Sequence, residues 1–151
     1  MDDDVTAYAG ISNTYPASGF EGASYHGLVQ IPELDMASYH FYPTDWGLTN
    51  PTTDGTIWVN AHQSIARAAG KVAYWGEFGY PKNATDAQRA PIYDAWLEAF
   101  FSATADGSAA LFWQLIPASR SGGDDGYGVY AAKDTATVAA FEKYSAPRAL
   151  R

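Results

Sequence analysis

No cysteine occurs among the 151 residues, which excludes disulfide bonds and thiolate metal sites and leaves the cellular compartment open. The three histidines, His26, His40 and His62, lack the spacing of a metal-binding motif. We therefore expect neither a bound metal nor another cofactor in the functional site. The one alternative is a structural Ca²⁺ ion at the Asp-rich loop.

Basic residues are also scarce, since nine lysines and arginines stand against 17 acidic residues, for a formal net charge of -8. Nucleic acids and anionic membranes both bind basic patches, so neither is expected as a partner. Long apolar runs are missing, so no segment is expected to span a bilayer. The start of the chain, Met1–Asp4, is the opposite of a signal peptide, and a soluble protein is expected.

Aromatic side chains are what the chain has in excess, at 15% of its residues, with five Trp and eleven Tyr. Filling a core does not require so many, and stacking on the flat face of a sugar ring is another use for them. Apolar residues make up 47% and charged residues only 17%, which indicates a folded chain. The length fits a single domain, residues 1–151.

Strands and helices alternate along the chain. Predicted strands cover 5–11, 36–42, 72–80 and 109–116, and predicted helices cover 57–69, 86–105 and a last segment that starts at Thr135. This order predicts an α/β fold with a parallel (βα)4 sheet and outer helices. Long loops, 12–27, 43–55 and 117–130, follow the strands, so the functional face is expected at the carboxyl ends of the strands.

The stretch 72–80, Val-Ala-Tyr-Trp-Gly-Glu-Phe-Gly-Tyr, is typical of a buried strand that ends in a carboxylate, Glu77. Gly76 and Gly79 keep the neighbourhood of that carboxylate uncrowded, so another group can approach it. Such strand ends are where α/β folds place their chemistry. The alternative is a glutamate that caps the following loop or pairs with a lysine.

Four segments make the chain recognisable. In order, they are 39–43 (Tyr-His-Phe-Tyr-Pro) with Trp46-Gly47, 75–79 (Trp-Gly-Glu-Phe-Gly), 111–114 (Leu-Phe-Trp-Gln) and 125–130 (Asp-Gly-Tyr-Gly-Val-Tyr). They resemble the sixth, seventh and eighth strands, and the loop after the eighth, of the β-mannanase and cellulase branch of glycoside hydrolase family 5. The resemblance implies the second half, strands five to eight, of a (β/α)8 barrel that typically has about 250 residues.

The resemblance also implies a site for a β-linked polysaccharide or oligosaccharide. Glu77 would be the nucleophile of a retaining glycosidase, and a hydrogen bond from Tyr42 would favour its ionised form. His40 would bind a sugar hydroxyl or orient that network, and Trp113 would be the floor for the sugar ring. Trp46 and Tyr127 would contact the sugar at the rim. For His40 the alternative is a structural interior histidine, and for the three aromatic residues it is a place in the core.

The segments that resemble the family do not include the second carboxyl group of such a site. The family's acid/base glutamate belongs to the fourth strand, in an Asn-Glu-Pro-like segment that this sequence lacks. Other acids that could supply a proton are all in loops: Asp35, Asp45, Asp54, Asp124 and Asp125. None of them is favoured, because acidic residues in loops are usually only solvated.

A half-barrel would expose its edge strands and its inner aromatic face. The favoured solution is a homodimer that closes an eight-stranded barrel, and the alternatives are a separate first-half chain or a small flavodoxin-like sandwich. Two functions follow. One is a glycoside hydrolase in which Glu77 is catalytic, and the other is a carbohydrate-binding or inactive half-barrel that lacks the acid.

Overall fold

Three parallel strands in the order β1-β2-β3 form the central sheet, and a second sheet pairs β4 with β5, also in parallel. The computed structural model describes residues 5–19, 22–81, 83–103, 109–120 and 122–145. The strands are β1 Met36–Phe41, β2 Val72–Phe78, β3 Ala110–Phe112, β4 Leu115–Ile116 and β5 Val129–Tyr130. The helices are α1 Tyr25–Val29, α2 Pro51–Ala68, α3 Asp86–Ala103 and α4 Thr135–Ser145, with 3₁₀ turns at Val5–Tyr8 and Tyr15–Ala17. Among these helices, none combines the length and apolar character needed to cross a membrane.

Strand β1 has the predicted alternation of faces. Ala37, Tyr39 and Phe41 are buried, whereas Met36 and Ser38 are exposed on the opposite side. The buried side faces the helices, which pack as a layer in which α2 contacts α3 and α3 contacts α4. The sheet therefore has one covered face and one open face, as the alternation of small or apolar with exposed residues indicates.

Stacked aromatic rings fill the space between the sheet and the helices. Trp75 and Phe78 of β2 stack at 4.1 Å, and Trp96 and Phe100 of α3 pack against Trp75 at 6.2 and 5.8 Å. All four residues have at most 1% of their surface exposed. Much of the aromatic excess in the sequence is therefore used in the core, where each large ring contributes roughly 1.5–3 kcal/mol by burial.

The prediction of a first strand at 5–11 is wrong. Residues Val5–Tyr8 form a 3₁₀ turn, and backbone bonds from Ala9 to Thr6 and from Ile11 to Tyr8 continue the tight winding. Tyr8 and Ile11 are three positions apart, so this winding places both on the buried side. A strand would have put one of them on each face.

The last predicted strand, 109–116, is interrupted. It consists of β3, which pairs with β2, and β4, which pairs with β5, with a cis peptide between Trp113 and Gln114. The parallel α/β character is confirmed, but in the described parts of the chain the sheet has three strands and is not closed. The (βα)4 sheet of the sequence prediction is thus only partly present.

Helix α2 begins at Pro51, six residues before the predicted start. Proline is well suited to the first turn because its missing N–H would have no helical partner there. The carboxylate of Asp54 reaches back to the N–H of Asn50 at 2.9 Å and also accepts bonds from the N–H and hydroxyl of Ser12, at 2.8 and 2.6 Å. Asp54 therefore joins the start of α2 to the N-terminal segment. The predicted end of α3 at 105 lies outside the described residues.

His62 is a structural residue of the core. Its ring lies 4.3–5.4 Å from the rings of Tyr8, Tyr25, Tyr39 and Trp58, and its Nδ1 is 2.8 Å from the carbonyl oxygen of Trp58. Burial lowers the pKa of His62 to about 3, so the ring is neutral near pH 7. It connects the N-terminal turn and α1 with β1 and α2.

We predict that Gly55→Ala destabilises the protein, although the same change in an ordinary helix interior stabilises it by about 1 kcal/mol. A Cβ at Gly55 would collide with the indole of Trp96, which is fully buried and donates a hydrogen bond to the carbonyl of Pro51 at 2.8 Å. The expected net loss is about 1–3 kcal/mol in the free energy of unfolding, measured by urea denaturation. Asn60→Ala, at an exposed position of α2, is the control and should be neutral or slightly stabilising. A Gly55→Ala protein as stable as the Asn60→Ala protein would contradict the argument.

Candidate active site

A bulge in strand β2 decides where the Glu77 side chain points. The β1–β2 pairing runs regularly to Tyr39 opposite Trp75, and then His40 lies opposite Glu77, so that one extra residue, Gly76, is accommodated. Strict alternation would have put Glu77 on the same face as buried Trp75. The bulge instead leaves Glu77 on the open face beside His40, while the next residue, Phe78, returns to the core.

Gly76 is required at this bulge. A Cβ there would collide with Ser38 Oγ and approach His40 Nε2 to 3.1 Å. The backbone of His40 is held from the other side, since Trp58 Nε1 donates to its carbonyl oxygen at 2.8 Å. The bulge thus lets strands β1 and β2 bring His40 and Glu77 together without a steric clash.

The carboxylate of Glu77 has two neighbours from β1 and its end. Tyr42 donates its hydroxyl proton to Glu77 Oε2 at 2.8 Å, which is the hydrogen bond predicted from the sequence, and His40 Nδ1 lies 3.7 Å from the same oxygen. Burial, and then the bond to Glu77, raise the pKa of Tyr42 above its usual value, so it remains a donor. The Glu77 side chain is 41% exposed and therefore accessible to a ligand.

Gly79 is where three parts of the site converge. A Cβ at this position would lie 2.8–2.9 Å from Tyr127 Cδ1, from the carbonyl oxygen of Trp113 and from Tyr42 Cε1. The sequence interpretation was that the glycine keeps space open beside the carboxylate. In the structure, side chains and backbone of the site itself occupy that space.

Trp113 is exposed at the carboxyl end of β3. Its relative accessibility is 41%, and its backbone N–H bonds to the carbonyl of Phe78 at 2.8 Å. The indole N–H donates to Asp125 Oδ2 at 2.6 Å. This hydrogen bond is the largest cause of a lowered pKa at Asp125. The aromatic face predicted as a sugar floor is therefore accessible, and its edge is anchored.

Tyr127 belongs to the same cluster, whereas Trp46 packs at the border of the core. The Tyr127 ring meets the Tyr42 ring edge-on at 5.1 Å, and its hydroxyl is bonded to Asp45; burial first and then Asp45 raise its pKa. Trp46 packs against Phe41 at 5.6 Å and Trp58 at 5.3 Å, at the border of the core. Trp46 thus has the position in the core that was the alternative to a sugar contact, and a contact of Trp46 with a sugar at the rim stays a prediction.

The acids considered as proton donors mostly have structural contacts. Asp54 is fully buried at the start of α2. Asp124 accepts bonds from the N–H groups of Gly126 and Gly128 and from the Tyr130 hydroxyl. The lowered pKa of Asp125 makes it a poor general acid near neutral pH, because an acid must still carry its proton. Asp45 binds Tyr127, and Asp35 is exposed before β1.

Arg89 of α3 is a residue that sequence reasoning missed. It is 2% exposed and binds Asp134 at 2.8 Å and the carbonyl of Gly128 at 2.9 Å. Asp134 Oδ2 in turn accepts the N–H of Tyr130 at 2.6 Å. Arg89 therefore holds the end of the loop that carries Asp125 and Tyr127. An arginine among the apolar residues of the α3 pattern was the only signal for this role.

Parallel strands covered by helices on one face, with polar side chains gathered at the carboxyl ends of the strands, define an α/β protein whose candidate site lies at those ends. Among the described residues, no group of three or more His, Asp or Glu side chains is arranged to hold a metal ion. The site instead presents a carboxylate, a phenol, an imidazole and an exposed indole.

Comparison with known proteins gives a more specific assignment. The chain is 33% identical over 140 residues to mannan endo-1,4-beta-mannosidase A of Podospora anserina, covering 91% of this chain and 36% of that protein. It is 31% identical over 123 residues to mannan endo-1,4-beta-mannosidase A of Emericella nidulans, covering 80% and 30%. The endo-beta-1,4-mannanase structure from Thermotoga petrophila superposes with a TM-score of 0.74 at 25% identity, over 91% of this chain and 31% of that one. No family model matches the chain.

These matches confirm the resemblance seen in the sequence. The chain is similar to part of the mannan endo-1,4-beta-mannosidases, which are glycosidases, and its fold fits part of a glycoside hydrolase family 5 barrel. It spans about a third of the length of the curated relatives it matches.

Proposed function

We propose that this chain carries the nucleophile side of a glycoside hydrolase site for β-1,4-linked mannan. The observation that carries the proposal is Glu77, exposed at the end of a parallel strand, hydrogen-bonded by Tyr42 and flanked by His40. The exposed indole of Trp113 at the end of the neighbouring strand supports a sugar substrate. The relatives named as mannan endo-1,4-beta-mannosidases support mannan as the polysaccharide.

In this proposal the reaction is the retaining double displacement. Glu77 attacks the anomeric carbon while a second carboxylic acid protonates the leaving oxygen, and the glycosyl-enzyme ester is then hydrolysed by a water that the second group activates as a base. The Tyr42 hydroxyl donates a hydrogen bond to the Glu77 carboxylate and orients it. His40 binds a sugar hydroxyl, Trp113 stacks under the ring, and Tyr127 with Trp46 supplies contacts at the rim.

The second carboxylic acid of the proposed site comes from another polypeptide segment, about 5–5.5 Å from Glu77. Exposed apolar side chains support such a partner, namely Met36 on β1, Leu111 on β3 and Leu115 on β4, with 51–55% of their surface accessible. The partner is either a second copy of the chain or the first half of a barrel of this kind. In a two-fold barrel the two Glu77 residues lie four strand positions apart instead of three, a separation too long for the double displacement and suited instead to a water-mediated attack.

A second candidate function is sugar binding without hydrolysis. It is favoured by the low pKa of Asp125 and by the structural bonds of Asp54 and Asp124, which leave these acids poorly suited to donate a proton. The Trp113 platform would remain useful for binding in that case.

One experiment on one sample separates these functions. The molar mass is measured by light scattering, and the same sample is assayed with β-1,4-mannan and with aryl β-mannosides and β-glucosides. A dimer that hydrolyses mannan supports the homodimer proposal. A monomer that gains activity only when a first-half chain is added supports the two-chain assembly. A protein that binds mannohexaose and hydrolyses nothing in either state overturns the hydrolase proposal in favour of binding.

A further inference from the structure

A large part of the Trp113 side chain is exposed to solvent. It is the most exposed of the five tryptophans, at 41%, whereas Trp58, Trp75 and Trp96 are at most 6% exposed. A free surface indole samples several rotamers, and a sugar that stacks on it must select one of them at a cost in entropy. A useful platform at this position therefore requires a second contact that fixes the ring.

Asp125 makes that contact. Its Oδ2 accepts the indole N–H of Trp113 at 2.6 Å, and its Oδ1 accepts the side-chain N–H of Gln114 at 3.1 Å and the backbone N–H of Tyr127 at 3.2 Å. The carboxylate thus bridges the end of β3 and the loop that returns to β5. Both oxygens are used, by three donors, as an ionised carboxylate allows.

The loop around Asp125 is itself anchored. The neighbouring Asp124 binds the N–H groups of Gly126 and Gly128, and Arg89 binds the carbonyl of Gly128 at 2.9 Å. The position of Asp125 is therefore fixed by the contacts of its loop. Its hydrogen bond in turn restricts the orientation of the exposed Trp113 ring. A carboxylate that only solvated the loop would not need to meet the indole.

We infer that Asp125 is a positioning residue for sugar binding, whose carboxylate holds the Trp113 indole in the orientation that a sugar ring stacks on. The inference rests on the proposed function for its ligand, but it assigns Asp125 to the platform and not to proton transfer. The lowered pKa of Asp125 agrees with this role, because the anchoring form is the ionised one at neutral pH.

The test compares Asp125→Ala and Asp125→Asn with the unchanged protein and with Glu33→Gln, which removes one negative charge at an exposed position before β1. Two quantities are measured at pH 7, on variants that are folded and have the same melting temperature as the unchanged protein. The first is the ¹⁵N–¹H resonance of the Trp113 indole, assigned with Trp113→Phe. The second is the dissociation constant for mannohexaose by calorimetry.

In the unchanged protein we expect the Trp113 indole proton downfield of the position of an indole that is hydrogen-bonded only to water, because its N–H bonds to a carboxylate. Asp125→Ala should move and broaden it and weaken mannohexaose binding about tenfold, equivalent to about 1.4 kcal/mol. Asp125→Asn offers one acceptor oxygen instead of two and should be intermediate. Glu33→Gln should change neither quantity.

Two results overturn the inference: an indole resonance unaffected by Asp125→Ala and Asp125→Asn, or unchanged mannohexaose affinity in both. Failure of the unchanged protein to bind mannohexaose would instead count against the proposed function. The indole resonance would then still decide whether Asp125 orders Trp113, because it needs no ligand. If Asp125→Ala does not fold, Asp125→Asn, which keeps the size of the side chain, decides alone.

Discussion

Glu77→Gln is expected to lower the rate of mannan hydrolysis by at least about 10³-fold, a loss of about 4 kcal/mol in transition-state stabilisation. Glutamine keeps the shape of the side chain and an oxygen that can accept the Tyr42 hydroxyl proton, but it is not a nucleophile. Mannohexaose affinity should change far less than the rate, because the Trp113 face and the rim are left intact. The measurement is kcat, with calorimetry on the same variant, in whichever assembly of the chain is active.

Glu142→Gln is the matched control for this result. It makes the same chemical change at an exposed position of α4 and should leave kcat unaffected. A Glu77→Gln enzyme with kcat near that of the control would refute the role of Glu77 as nucleophile. A Glu77→Gln protein that loses mannohexaose binding together with activity would assign Glu77 to substrate binding.

Arg89→Met is expected to reduce the free energy of unfolding by about 3–5 kcal/mol. The change removes a buried cation and leaves two groups without their partner, the carboxylate of Asp134 and the carbonyl of Gly128. The Arg89 side chain is 2% exposed and that of Asp134 is 15% exposed, so water can replace little of what is lost. Methionine preserves much of the volume, so the expected loss comes from the unpaired polar groups rather than from a cavity. Urea denaturation followed by circular dichroism measures it.

An exposed ion pair supplies the comparison. Lys143 binds Asp94 at 2.9 Å with about half of each side chain accessible, and Lys143→Met should have a much smaller effect because water replaces the lost contacts. The double variant Arg89→Met with Asp134→Asn should recover part of the stability by removing the unpaired charge. Equal losses of unfolding free energy in Arg89→Met and Lys143→Met would show that the buried ion pair stabilises the protein no more than the exposed one.

Much of the fold follows from local patterns in the sequence. Strand β1 and helices α3 and α4 begin at or next to their predicted residues, because alternation and the 3.6-residue period both record which side is buried. The motif around Glu77 and its order relative to 39–43 and 111–114 also pointed to the family, which the comparisons confirm. The prediction for the N-terminal segment was wrong because a short apolar run carries no reliable period, whereas its winding places Tyr8 against Trp58 and His62 of α2.

The parallel α/β class, the alternating faces of β1 and the residue types of the site all follow from local sequence patterns. Their arrangement depends on contacts between elements that are far apart in the chain. The bulge at Gly76 depends on the register between two strands far apart in the chain, and it turns Glu77 from the face of Trp75 to that of His40. The bond from Trp113 to Asp125 and the anchoring of its loop by Arg89 likewise depend on distances across the fold. Periodicity reports burial within one element, whereas register and hydrogen bonds between elements are settled when the elements pack.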